Sequence, residues 1–334
     1  MKKAKKIIND PQHVVEELLE GLVAASDGEI KKLPGVNALV KTRLLPGKVG
    51  FLIGGGSGHE PLFPGFIGDN MADGAACGHI FAAPTPDVIL EATRSLSQGK
   101  GVLYVYGNYA GDNLNFDMAA EMAAAEGIET RTVRIWDDVA SAPPERKDQR
   151  RGIAGDLFVI KVAGAVSATV DSLEEVTRVT TKARDSTRSI GVSVAAGSIP
   201  ETGGPTFELA DDEIEIGMGL HGEPGVSRQR LLPADPLVEK MMERLVADLP
   251  FRSGDKVCLL VNDLGSTTWM ELLIANRRAQ RFLQERGILV YDTLLGSFCT
   301  CQEMAGLSIT MMELDGELRR YYDMPASSLG FTKV

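Results

Sequence analysis

Residues 49–61 read VGFLIGGGSGHEP, an apolar run that passes directly into a glycine-rich loop and reaches His59. The apolar run is typical of a buried strand, and the glycines after it let the backbone approach a ligand closely. Further strands are predicted at residues 101–106 and 130–135, with a helix between them. Strands that alternate with helices predict a parallel, doubly wound sheet, whose ligands bind at the carboxyl ends of strands. His59 is therefore a candidate site residue.

Other interpretations of this glycine loop remain open. The loop lacks the Gly-Lys-Ser/Thr ending of a P-loop, and His59 stands where a GxSxG nucleophile elbow has its final glycine. A tight strand-to-helix turn without a ligand is the simplest alternative. A histidine on such a loop is expected to be partly exposed, which favours a functional role.

A second glycine-rich motif, GMGLHGEPG at residues 217–225, surrounds His221. Its glycines leave little side-chain bulk near the ring, so a neutral imidazole there can hydrogen-bond a ligand or add to a carbonyl carbon. Packing of the ring in the core is the alternative, although it requires apolar neighbours. The two histidine motifs together predict one small-molecule site that is assembled from distant parts of the chain.

Asp112 follows a glycine shortly after the predicted strand 101–106. It can act as the N-cap of the helix that contains Phe116, or as a general base within reach of a substrate hydroxyl. The two roles are compatible. The acidic run ADDEIE at residues 210–215 is interpreted as a solvated strand edge rather than a metal site.

The composition argues against several classes of protein. A net charge of −11 over 334 residues disfavours general nucleic-acid binding and binding to membrane surfaces. No segment approaches the ~20 apolar residues of a membrane span, and no signal-peptide apolar region follows the basic start. The four cysteines form no CxxC pair, which predicts reduced thiols, a cytoplasmic protein and no metal site.

The second half of the chain predicts a separate domain. We expect a doubly wound three-layer α/β/α domain over residues 1–185, followed by a two-layer α/β domain with a mixed sheet over residues 186–334. The N-terminal helix is expected to begin with Asp10 as its N-cap. Further elements are expected as an exposed loop at 141–151, a single helix at 152–182, strands near 191–195, 206–209, 213–217, 257–261 and 288–292, and helices near 236–247 and 266–286.

These motifs, in this order, resemble the substrate-binding subunit of dihydroxyacetone kinase, the DhaK family. The resemblance covers nearly the whole chain. Besides the two histidine motifs it rests on IIND at 7–10, PTPD at 84–87, NY at 108–109, GD at 111–112, NF at 115–116 and RRG at 150–152.

The resemblance implies roles for individual residues. The histidine that corresponds to His221 forms a covalent hemiaminal with the ketone carbon of dihydroxyacetone, which excludes glycerol because it has no carbonyl. His59 is implied to hydrogen-bond the substrate, and Asp112 to take the proton from the attacking hydroxyl. The implied substrate pocket is lined by Gly56, Ser57, Gly58 and His59. The implied fold is a two-domain α/β subunit that forms a homodimer.

The phosphoryl donor is expected to lie on another subunit. This chain has no Walker motif and no carboxylate cluster suited to Mg²⁺, so it is predicted to bind no cofactor itself. The resemblance implies a helical, nucleotide-binding subunit of the DhaL type, which uses ATP directly or holds ADP that a phosphotransferase-system protein recharges. Because the chain ends at Val334 without such a domain, it is expected to be inactive alone.

Two positions depart from the family pattern. Gly107 stands where dihydroxyacetone-specific relatives have a substrate-contacting lysine, and Ala110 replaces the usual threonine. Loss of the lysine removes a charged donor and opens volume, which predicts a larger ketose, such as the ketotetrose erythrulose. Alternatively, another side chain or water fills the space and dihydroxyacetone remains the substrate.

Two classes of function fit these motifs. The first is a kinase subunit, and the second is a sensor or coregulator that binds the ketose without phosphorylating it. Asp112 favours the kinase, because a sensor has no use for a base. A serine hydrolase built on Ser57 is a more distant alternative, because no acid–histidine partner follows at a convincing position.

Overall fold

The computed structural model describes residues 4–334. In this range the α-helices are α1 (Val14–Ala25), α2 (Pro86–Leu96), α3 (Ala110–Ala125), α4 (Asp156–Thr169), α5 (Leu173–Asp185), α6 (Ala234–Asp248), α7 (Trp269–Glu285) and α8 (Gly316–Tyr322). The strands are β1 (Ile30–Lys32), β2 (Ala38–Lys41), β3 (Gly50–Ser57), β4 (Gly68–Asp69), β5 (Gly74–Ile80), β6 (Val102–Gly107), β7 (Thr130–Ile135), β8 (Thr187–Ala195), β9 (Glu213–Ile216), β10 (Ser227–Arg230), β11 (Lys256–Asp263), β12 (Leu289–Gly296), β13 (Ala305–Glu313), β14 (Ala326–Ser328) and β15 (Thr332–Lys333).

The chain forms two compact units, which we name after their histidines. The His59 unit comprises Lys6–Ile135, Leu157–Ala183 and Leu318–Val334. The His221 unit comprises Trp136–Asp156 and Arg184–Glu317, together with the described residues before Lys6.

A single division at residues 185/186 was predicted, and the chain does change unit within two residues of that point. It also changes unit at four further points. Residues 136–156 belong to the His221 unit because Asp137 and Val139 form backbone hydrogen bonds with Ser189 of β8. The C-terminal residues belong to the His59 unit because β14 pairs with β4.

The sheet of the His59 unit has the order β1-β2-β5-β3-β6-β7. Its four adjacent strands β5, β3, β6 and β7 are parallel, whereas β1 and β2 are antiparallel additions. Every residue of β6 is buried, and because side chains alternate between faces, both faces of the sheet are covered. Helix α2 connects β5 to β6 across β3, so the carboxyl ends of these three strands meet at a topological switch point. This confirms the predicted doubly wound α/β arrangement.

The sheet of the His221 unit has the order β10-β9-β8-β13-β11-β12, and only β11 and β12 are parallel within it. Helices α6 and α7 bury their apolar faces against it. The core contains Met241 and Leu245 from α6, Phe282 from α7, and Leu259 and Ile309 from the sheet. The prediction of a two-layer domain with a mixed sheet is confirmed.

Several predicted elements differ from the structure. The single helix at 152–182 is two helices, because Ser172 interrupts it and its hydroxyl accepts the Glu175 N–H at 3.3 Å, as an N-cap does. Residues 206–209 form no strand. Asp10 does not cap α1, because the N-cap residue is His13. The Asp10 carboxylate instead accepts the Gln12 N–H at 3.0 Å in the preceding turn. Within the loop at 141–151, the short 3₁₀-helix Pro144–Gln149 is exposed, as predicted.

The end of that loop is buried, contrary to prediction, by an ionic cluster. Arg150 is 0% exposed, and its guanidinium binds both carboxylate oxygens of Asp248. Arg188 binds the same carboxylate. Burial works against ionisation of Asp248, but the hydrogen bonds from the two arginines lower its pKa.

We expect Asp248→Ala to destabilise the protein strongly. Loss of the shared carboxylate leaves two buried guanidinium groups without their anion, which costs about 3–5 kcal/mol of unfolding free energy. Urea denaturation measures this. The exposed pair Asp117–Arg134 provides a control, because Asp117→Ala is expected to cost less than about 1 kcal/mol. Equal losses of unfolding free energy in Asp248→Ala and Asp117→Ala would contradict the conclusion that Asp248 is the shared anion of a buried ionic cluster.

Candidate functional site

The glycine loop before His59 is more regular than predicted, because β3 continues through the glycines to Ser57. A Cβ on Gly54 would lie 2.5 Å from the Ala76 carbonyl of β5, and a Cβ on Gly56 would lie 2.9 Å from the Ala82 nitrogen. No side chain fits at those distances. The glycines therefore allow the end of β5 and the residues that follow it, 78–84 together, to lie directly against the end of β3.

Residues 78–84 also hold the loop side chains. The Ser57 hydroxyl donates to the Gly78 carbonyl at 2.8 Å, and the Phe81 N–H donates to the Ser57 carbonyl at 2.8 Å. The rings of His59 and Phe81 lie 5.2 Å apart, and His59 is only 3% exposed. The prediction that His59 is partly exposed is therefore wrong. Phe81 has φ of 58°, a left-handed conformation that costs a bulky residue energy and is found most often at functional sites.

Glu60 closes the same turn. Its carboxylate accepts the Gly58 N–H, with oxygens at 2.9 and 3.2 Å. Burial raises the pKa of Glu60, against the lowering effect of that hydrogen bond. The turn around His59 is thus held by backbone contacts and by one half-buried carboxyl group.

Asp112 lies in the first turn of α3, immediately after β6. It occupies the third helical position, and the N-cap is Tyr109, so the N-cap interpretation is wrong. A Cβ on Gly111 would lie 3.4 Å from the Ala83 side chain, and the Asn115 amide donates to the Pro84 carbonyl at 2.8 Å. Residues 78–84 therefore touch both the His59 loop and the start of α3. The structure brings these two predicted site segments together beyond the carboxyl ends of the parallel strands β3 and β6.

His221 lies in the loop that joins β9 to β10 in the His221 unit. Gly217 and Gly222 have φ of 79° and 84°, values that glycine adopts readily. The Gly219 N–H donates to the Glu223 carbonyl at 2.9 Å, which closes a tight turn around the histidine. The His221 side chain is 27% exposed, so it is not a core residue.

Glu223 binds His221 twice. One carboxylate oxygen accepts the His221 backbone N–H at 2.9 Å, and the other lies 3.2 Å from ring Nδ1. Burial works to raise the pKa of Glu223, but the hydrogen bond from His221 and the charge of its ring when protonated outweigh it. With the charge of Arg151 they lower that pKa to about 2. Glu223 is therefore a carboxylate at neutral pH.

Neither Glu223 nor Phe81 was identified as a site residue from the sequence. Glu223 is part of the motif around His221, and a carboxylate two residues from a candidate nucleophile is a usable signal. Phe81 gives no such signal, because its position against the glycines arises from the pairing of β3 with β5.

Further expectations from the sequence concern the acidic run, the cysteines, metal binding and membrane spans. The acidic run is not a sheet edge, because β9 lies between β8 and β10, although Asp211 and Asp212 are exposed. All four cysteines are buried thiols, and none of them forms a disulfide. Within residues 4–334, no group of three or more His, Cys, Asp or Glu side chains is arranged to hold a metal ion. Every helix in that range falls short of the length or apolarity that crossing a membrane requires.

Comparison with known proteins identifies close relatives. Residues 20–330 match the family model of the Dak1 domain. The dihydroxyacetone-binding subunit DhaK of PTS-dependent dihydroxyacetone kinase 2 from Listeria innocua is 40% identical over 97% of this chain and 98% of its own length. An L-erythrulose kinase from Pectobacterium atrosepticum is 37% identical over 98% of this chain, which spans 56% of that enzyme.

A solved structure agrees with these relatives. The crystal structure of the dihydroxyacetone kinase of C. freundii superimposes with a TM-score of 0.90 at 30% sequence identity. The match covers 98% of this chain and 60% of the other. The chain therefore has the fold of one part of that larger enzyme.

Proposed function

Because the chain belongs to the Dak1 domain family, we propose that it is the substrate-binding subunit of a dihydroxyacetone kinase. The observation that carries this proposal is His221, which lies partly exposed in a glycine turn with a carboxylate against its ring. The relative from Listeria innocua, named as a dihydroxyacetone-binding subunit, supports it across nearly the whole length of both proteins.

His221 captures the ketose in this proposal. Its ring nitrogen adds to the ketone carbon and forms a hemiaminal, so polyols that lack a carbonyl are not held. The small residues around the ring leave the nitrogen accessible.

His59 and Asp112 act on the substrate hydroxyls. His59 hydrogen-bonds the substrate, in a pocket that residues 56–58 help to line. Asp112, at the carboxyl end of β6, takes the proton from the hydroxyl that attacks the phosphoryl group. These roles are supported by the position of both residues beyond the carboxyl ends of β3 and β6, which is where ligands bind in doubly wound folds.

The phosphoryl group comes from a separate nucleotide-bearing subunit. The support is that relatives matching over nearly their full length are themselves named as subunits of PTS-dependent kinases. That partner holds ATP, or ADP as a phosphoryl carrier, with Mg²⁺, and neutralises charge on the transferred group. The homodimer implied by the resemblance and the cytoplasmic location inferred from the cysteines remain predictions; sedimentation velocity tests the first.

A ketotetrose is the second candidate substrate. Gly107, the last residue of β6, carries no side chain where the family pattern has lysine, and an erythrulose kinase is 37% identical to this chain. We expect the chain, mixed with a nucleotide-binding partner subunit and ATP, to phosphorylate erythrulose at least as fast as dihydroxyacetone. Gly107→Lys is expected to reduce erythrulose turnover about tenfold or more, because it refills the space.

A coupled ADP-release assay with dihydroxyacetone and both erythrulose enantiomers measures this. Turnover of dihydroxyacetone alone, unchanged by Gly107→Lys, would contradict the ketotetrose proposal and leave the kinase proposal intact. Ketose binding without turnover, with both ATP and a phosphotransferase-system donor supplied, would instead indicate a sensor.

A further inference from the structure

The contacts of Glu223 determine which nitrogen of His221 carries a proton. An ionised carboxylate can only accept hydrogen bonds. Its contact with ring Nδ1 at 3.2 Å therefore requires the proton to lie on Nδ1. In the neutral ring the lone pair is then on Nε2, which points away from the carboxylate.

Arg151 and Asp138 support this carboxylate. Arg151 Nη1 lies 3.9 Å from a carboxylate oxygen of Glu223. The other side of the same guanidinium donates to Asp138 Oδ2, at 2.9 Å from Nη2 and 3.2 Å from Nε, and to the Gly217 carbonyl at 2.9 Å. Asp138 is 1% exposed. Arg151 thereby links a buried anchor to the turn that carries His221.

Gly219 leaves room for this arrangement. A Cβ at Gly219 would collide with the carboxylate of Glu223 and the guanidinium of Arg151. Both obstacles are the ends of flexible side chains, and Gly219 does not have a left-handed φ. An alanine at this position can therefore displace the two charged groups without forcing the backbone to change.

We propose that Glu223, held by Arg151 and Asp138, is the positioning residue that keeps the His221 proton on Nδ1 and presents Nε2 to the ketone. This inference rests on the proposed capture of a ketose by His221. It explains why the RRG motif at 150–152 accompanies the histidine motifs, although it is far from them in sequence.

The carboxylate also stabilises the product of capture. The Nε2 lone pair forms a bond to the ketone carbon, the C–O π pair moves to the oxygen, and that oxygen gains one proton from the solvent. The ring keeps its Nδ1 proton and becomes a cation. Its positive charge then lies beside the negative charge of Glu223, which strengthens the hydrogen bond between them.

The test uses a graded set of variants. Glu223→Gln keeps an acceptor oxygen but removes the charge, and Glu223→Met removes both. We expect ketose affinity, measured by calorimetry, to fall about 10- to 100-fold for Glu223→Met and less for Glu223→Gln. In ligand-free protein, ¹⁵N NMR of the histidine rings is expected to show the Nδ1–H form of His221 in the wild type and a mixture of tautomers in Glu223→Met.

Glu215→Gln is the matched control. Glu215 is a buried carboxylate of the same unit that accepts the Gly225 N–H and binds Arg228, but its bonds are not to the His221 ring. It should alter stability without altering the tautomer. Gly219→Ala is a second way to remove the Glu223 carboxylate from the His221 ring, because the added methyl group displaces it. This variant is therefore expected to weaken ketose affinity, as Glu223→Met does.

An unchanged tautomer and unchanged ketose affinity in both Glu223→Met and Gly219→Ala would overturn the inference. A wild-type protein that forms no adduct with dihydroxyacetone or erythrulose would overturn the proposed capture instead. In that case the tautomer in ligand-free protein still decides the role of Glu223, so the two failures are distinguishable.

Discussion

Replacement of His221 by alanine is expected to weaken ketose binding by about 100-fold or more, because it removes the only covalent bond proposed between protein and substrate. Turnover with the partner subunit is expected to fall with it. Calorimetry with dihydroxyacetone and erythrulose measures the first effect, and ADP release measures the second. Since His221 lies in a surface turn rather than in the core, the fold should be retained.

His13→Ala is the control for this substitution. His13 is an exposed N-cap residue of α1, with 61% of its side chain exposed, and it is remote in sequence from both glycine motifs. Wild-type affinity in His13→Ala and in His221→Ala alike would contradict the assignment of His221 as the capturing residue.

Asp112→Asn is expected to separate turnover from capture. The amide cannot take the proton from the attacking hydroxyl, so kcat should fall about 10²- to 10⁴-fold. Ketose affinity should change little, because His221 still forms the adduct. Asparagine also removes a negative charge from the first turn of α3, which costs about 0.3–1 kcal/mol of helix stability. Steady-state kinetics and ketose titration measure the two effects separately.

Asp117→Asn is the matched control on the same helix. Its carboxylate is exposed and pairs with Arg134, so its loss should leave kcat within a factor of about two. Loss of ketose binding together with turnover in Asp112→Asn would indicate that Asp112 holds the substrate rather than acting as a base.

The elements around the site follow from local sequence patterns. The apolar run before the glycines predicts β3, and the run at 101–106 predicts β6, because buried parallel strands are continuously apolar. Residues 130–135 alternate polar with apolar side chains towards their end and predict β7. The position of Asp112 beyond the carboxyl end of β6 follows from the same sequence pattern. These features depend on residues close together in the chain.

Features that depend on distant pairing could not be predicted in this way. The cover over His59 comes from residues 78–84, whose position is set by the register of β3 against β5. No local sequence pattern predicts that β14, near the C-terminus, pairs with β4. The link from Arg151 to Glu223 joins residues 72 positions apart. Charge alone does not identify which of the many acidic side chains an arginine will bind.

The proposed function depends above all on a covalent bond between His221 and the ketone carbon. Its most direct test is NMR of protein labelled with ¹⁵N in histidine, mixed with dihydroxyacetone or erythrulose labelled with ¹³C at the carbonyl. We predict that the ketone signal is replaced by that of a tetrahedral carbon with a one-bond coupling to nitrogen, and that His221→Ala abolishes this signal. Retention of the ketone signal in ligand that is demonstrably bound would contradict the account.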